Sequence, residues 1–154
     1  MATSNYSGHL HILEAEEIAH IYSIPDFTPD ERPLFFMLSA SERRQVNALR
    51  GISSKVYFIL QLGYFKAKHL FFVFDFEDQA VDAAFILAKH FPTKSKKKLL
   101  NISRPTRQNQ QQLICSLYKY HFFDENFQSQ LIQKTALLAK RHNHAVYLLS
   151  LIHI

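Results

Sequence analysis

Apolar residues recur at helical spacing along almost the whole chain, and the polar residues between them mark where each helix starts and stops. The most complete stretch runs from Arg50 to Lys66. A polar Arg50-Gly51 turn leads into Val56, Ile59, Leu60, Gly63 and Tyr64 on one face and Phe58, Leu62 and Phe65 on another, with Ser53 or Ser54 as the predicted cap. A helix apolar on nearly every side belongs in the centre of a bundle. Ahead of it, Ser39-Ala40-Ser41-Glu42 reads as a capping box that opens a helix to about Leu49. Gly51, at positive φ, is the predicted C-terminal stop of that helix. Leu10 to Tyr22 predicts a short helix carrying Glu14, Glu16 and Glu17, ended by Pro25 and followed by an extended linker.

Leu70 to Phe76 has the composition of a strand, but no second segment matches it as a partner, so it reads as a packed connector. Glu77 to Phe91 is the next predicted helix. Its apolar face is Val81, Ala84, Phe85 and Ala88, and Glu77, Asp78 and Asp82 form a solvated acidic cluster on its first turns. Pro92 to Pro105 is a loop between subregions. Ser103 then caps a helix from Arg104 to His121, with Leu113, Ile114, Leu117 and Tyr118 inward and a Gln-rich opening outward. The last predicted helix, Phe127 to His142, turns Leu131, Ile132, Ala136, Leu138 and Ala139 inward. No internal repeat is visible. The fold class is therefore all-α, either one compact multi-helix bundle or two small helical subdomains, with boundaries at residues 1–24 (arm), 25–92 and 93–148.

Composition narrows the function. With 154 residues, 47% hydrophobic and three glycines, the chain is globular and can build a core without staples. The lone Cys115 lies on an apolar stripe and reads as a buried, inert thiol in a reducing cytoplasm. No apolar run reaches membrane-spanning length, and the N-terminus lacks a signal-peptide pattern. Charge is divided unevenly. Residues 1 to 90 hold eight Lys/Arg against eleven Asp/Glu, whereas residues 91 to 154 hold ten against two, or about +8. Such polarity suits a surface that faces a polyanion.

The order of several motifs then points to a family. Pro25-Asp26-Phe27-Thr28 with Glu31-Arg32 and Phe35 to Ser39, the Arg50-Gly51 turn and its helix through Gln61-Leu62, Tyr64 and Lys66, and Arg107, Gln110, Ile114 with Lys119 to Phe123 keep one order and spacing. Together, from about Ile24 to Val146, they resemble the opening domain of the class II replicative transposases, the Tn-three family. Gln110 stands where many relatives have His and Lys119 where many have Gly, while Ser54 and Tyr57 replace an Asn and a Gly. The resemblance implies a bacterial, nucleoid-associated protein whose N-terminal helical region recognises terminal inverted repeats in double-stranded DNA. It also implies a Mg²⁺-dependent Asp-Asp-Glu site in a separate catalytic domain, and a homodimer at full length.

The basic residues supply the chemistry for that reading. Arg43, Arg44, Arg50, Lys55, Lys66 and Lys68 in the first half, and Lys94, Lys96, Lys97, Lys98, Arg104, Arg107 and Lys119 in the second, are the candidate DNA contacts. Lysines suit phosphates, and arginines also fork onto guanine edges. Arg104 and Arg107, one turn apart on a helix start rich in Gln108, Gln110, Gln111 and Gln112, make that helix a candidate to enter a major groove, the alternative being a merely solvated face. Catalytic and metal residues are not expected: Glu14, Glu16 and Glu17 lie near the chain end, Asp75, Glu77, Asp78 and Asp82 read as a solvated helix-capping cluster, and His9 with His11 and His142 with His144 do not share helix faces. No cofactor is expected in this fragment. The alternative is a protein-interaction module, its acidic half meeting the basic half of a second copy. Leu149-Ser150-Leu151-Ile152-His153-Ile154 is the translation of a widely used transposon-end sequencing adapter, which predicts a reading frame that ran off a contig.

Overall fold

The computed structural model describes residues 14–94, 98–121 and 124–139. Lys96, Lys97, the paired histidines at 9, 11, 142 and 144, and the adapter-like end lie outside them. The described secondary structure consists of seven α-helices and one short 3-10 turn, with no strand among the described residues: an all-α fold. The chain forms two units, Met1–Leu117 and Tyr118–Ile154.

The first unit is built around α4, Ile52–Lys68, in which every residue from Val56 to Phe65 is buried. Three helices pack on it: α2 (Glu31–Phe36), α3 (Ala40–Ala48) and α5 (Ala80–His90). Phe36, at the end of α2, lays its ring against the α4 backbone at Gly63, where a β-carbon would strike it. Phe27, Phe36 and Tyr64 form an aromatic cluster, Phe27 edge-on to Phe36 at 5.4 Å between centroids. Each such ring contributes roughly 1.5–3 kcal/mol by leaving water.

Short helices need capped ends. At α3, Ser39 N donates to Glu42 Oε2 at 2.7 Å and Glu42 N donates back to Ser39 Oγ, the predicted box. At α2, Thr28 N and Oγ1 both donate to Glu31 at 2.9 Å, which holds the Glu31 carboxyl below its usual range. The α2 segment was expected to be an extended linker. Thr28-x-x-Glu31 is itself a capping box, the signal that marks this helix. The first helix, α1 (Ala15–Tyr22), is exposed throughout. It ends where Lys68, on the last turn of α4, donates its ammonium to His20 O and Ser23 O, two of the carbonyls a helix end leaves without partners.

The 70–76 segment is the connector its sequence predicts. Phe72, Phe74 and Phe76 are buried while Val73 and Asp75 are exposed, a strand-like alternation. Side chains replace the missing partner strand: Gln61 Nε2 donates to Phe72 O at 3.0 Å, Tyr57 OH to Phe74 O at 3.5 Å, and Phe76 N to Asn101 Oδ1 at 3.2 Å. Beyond it, α5 buries Asp82, Ala83, Ile86 and Leu87 and exposes Val81 and Ala84, a face rotated from the predicted one. The cause is Asp82. Far from being solvated, it is buried against Arg32 Nε at 2.7 Å and receives the Tyr64 hydroxyl at 2.9 Å. Burial and this carboxylate push the Tyr64 phenol well above its ordinary pKa.

Helix α6 (Arg104–Tyr118) comes after a 3-10 turn (Pro92–Lys94) and ends at Lys119, which sits at φ 58 in the left-handed region. Cys115 on α6 is buried, and burial raises its thiol pKa, as an inert core cysteine requires. In the second unit, α7 (Glu125–Ala139) begins with Phe127 N donating to Asp124 Oδ1 at 2.8 Å. Its predicted inward face is not covered as expected, since Ile132 and Ala136 are exposed. Among the described residues no helix is long and apolar enough to cross a membrane.

Candidate nucleic-acid interface

The Arg50-Gly51 turn opens α4. Gly51 takes φ 77 and ψ 148, a conformation closed to other residues, and it is the N-cap of α4 and not the stop of α3, which ends at Leu49. Ser53 and Ser54 are therefore inside the first turn and not its cap. Their oxygens face α6 and the run before it: Leu100 N donates to Ser53 Oγ at 3.0 Å, and Gln110 Nε2 donates to Ser54 Oγ at 2.8 Å and Ser54 O at 2.9 Å. Ser103 caps α6 as predicted, accepting from Thr106 N.

These bonds draw together segments fifty residues apart. A groove of about 630 Å³ lies between the N-termini of α4 and α6, with Arg50, Gly51, Ser53 and Ser54 on one wall and Lys98, Asn101, Ser103 and Thr106 on the other. Both helices exceed three turns, so each directs a partial positive charge and amides without helical partners to its first turn. With the guanidinium of Arg50 and the ammonium of Lys98 added, the groove suits an anionic group of phosphate size. Sequence reasoning found the cations but missed the serines, Asn101 and Thr106, whose roles appear only once α6 is set against α4.

The other predicted contacts scatter. Lys94 is exposed at the end of the 3-10 turn, Arg104 is exposed at the start of α6 and Arg107 is half-buried. Lys55 Nζ reaches back to Asn47 O at 3.3 Å, closing the end of α3. Arg43 and Arg44 are exposed on α3. Lys66 and Lys68 lie at the far end of α4, about 20 Å away at 1.5 Å per residue. Their ammonium groups are engaged within the fold: Lys66 with Met37 O at 2.8 Å and the Glu42 carboxylate at 3.0 Å, Lys68 with the end of α1. Lys119 belongs to the second unit. Gln110, expected to face outward, is 1% exposed.

Ser54 and Gln110, fifty-six residues apart, are in direct contact. Lys119 occupies the left-handed conformation glycine favours. No curated protein and no solved structure matches the chain. Residues 12–153 match the family described as "Domain of unknown function (DUF4158)", and the chain belongs to that family, whose domain is found in transposase-like proteins.

Proposed function

We propose that this domain binds double-stranded DNA as the N-terminal portion of a class II replicative transposase, holding the transposon's terminal inverted repeats without a catalytic centre of its own. The observation that carries this reading is the groove between α4 and α6, which combines two helix N-termini, Arg50 and Lys98. Backbone phosphates occupy it, α6 beside it enters the major groove, and the Asp-Asp-Glu site with its Mg²⁺ belongs to a separate domain of the transposase. The test is duplex binding by the full chain at rising salt. Each phosphate neutralised releases counterions, so log K falls against log salt with a slope of about −0.9 per contact. A steep slope supports the reading, and salt-independent or absent binding overturns it.

A second reading is a protein-interaction module that assembles the paired-end complex. The exposure of Phe127, Ile132 and Leu137 on α7 favours it. Self-association that persists in high salt, without duplex binding, is its signature.

A further inference from the structure

Within the DNA-binding reading, on which this rests, we infer that the base-reading surface is one stripe of α6, formed by Arg104, Gln108, Asn109 and Gln112, and that Gln110 and Arg107 do not belong to it. In an α-helix, residues four apart share a face. Arg104, Gln108 and Gln112 form such a row with Asn109 beside it, and all four are exposed. The opposite side is committed to the fold. Gln110 and Ile114 are buried, Gln110 donating to Ser54, and Arg107 is half-covered on the flank between the two sides.

The stripe's chemistry specifies its occupant. It carries one guanidinium and three amides, and from residue 83 to residue 123 the chain holds eight Lys/Arg and no Asp/Glu. An anionic partner is favoured by charge. The amides, which a solubilising surface gains little from, match base edges: Gln and Asn bond bidentately to adenine, Arg to guanine. From Arg104 to Gln112 the row spans about 12 Å, the length of roughly three to four base pairs and close to the width of a major groove. The phosphate groove lies at the same end of the helix, since Ser103 and Thr106 line it. Backbone grip and base reading are thus one turn apart. Gln110 acts as a positioning residue: its bonds to Ser54 set the rotation of α6 and so decide which amides face out.

The experiment is selection of preferred duplexes from a random library by the full chain, followed by affinity measurements on the selected and scrambled sequences. The expected preference is a guanine beside adenines within three or four base pairs. Gln108→Ala and Gln112→Ala should each lower discrimination by about 5- to 150-fold while leaving scrambled binding and the melting temperature unchanged. Lys98→Ala should weaken both duplexes equally. Arg107→Ala should do the same, leaving discrimination intact. DNA binding with no preferred sequence, or a preference that survives both glutamine substitutions, overturns the stripe while leaving DNA binding standing. A chain that binds no duplex removes both.

Discussion

Two backbone positions carry sharp consequences at the scale of single residues. Gly63 sits mid-helix, where Ala has the higher helix propensity by about 1 kcal/mol. Yet a β-carbon there would strike the ring of Phe36, itself 1% exposed, so the buried ring or its helix must move. Overpacking should win: Gly63→Ala is expected to lose about 1–3 kcal/mol in denaturant unfolding, and a gain in stability would show that α2 can shift outward. Lys119 presents the opposite case. Its φ of 58 costs a β-bearing side chain roughly 1 kcal/mol that glycine avoids. Lys119→Gly should therefore raise the melting temperature. If Lys119 also contacts phosphate, the same variant binds DNA less tightly, so the two readouts separate its conformation from its charge.

At the scale of elements, α2 and α5 are joined by a polar tie near each end of the pair. Arg32 bonds Asp82 at one end, and at the other His90 Nε2 donates to Phe36 O at 2.9 Å. Both tie groups on α5 are covered, so their energetics are asymmetric. Arg32→Met would leave the Asp82 carboxylate buried with the Tyr64 hydroxyl as its remaining donor among these groups, at an expected cost of about 3 kcal/mol. Adding Asp82→Leu should restore much of it, and a double-mutant cycle in urea measures the difference. His90 gives a pH signature. Burial, with Arg43, Lys89 and Lys66 nearby, holds its pKa below the ordinary 6.5, so the unfolded chain binds a proton that the fold resists. Stability should fall as pH drops through about 6.5 and keep falling until the lower folded pKa is reached. His90→Asn should flatten that part of the curve. These ties also explain what the sequence revealed. α3 and α4 were legible because a capping box and an apolar run are local signals. The α5 face was misread because Asp82 looks like a first-turn solvated acid until Arg32, fifty residues earlier, is placed beside it. Gln110 was misread for the same reason, its partner Ser54 being fifty-six residues away.

Across the whole molecule, α4 has two cationic ends with different duties, a division no composition count distinguishes. At its N-terminus Arg50 and Lys98 are exposed around a groove, while at its C-terminus Lys66 and Lys68 are engaged with Glu42 and with the end of α1. Stability and DNA binding should therefore separate by pole. Arg50→Ala with Lys98→Ala removes two exposed charges that form no ion pair among the described residues, so the melting temperature should hardly move. The salt slope of DNA binding should become shallower by about two, one counterion for each lost phosphate contact. Lys66→Gln and Lys68→Gln should do the reverse, lowering the melting temperature by loosening α3 and α1 while leaving the slope nearly intact. Both properties are measurable on the same preparations, by thermal unfolding and by titration of a fluorescent duplex at several salt concentrations. A shallower slope from the lysine pair, with none from Arg50 and Lys98, would move the phosphate surface to the opposite end of α4 and detach it from α6.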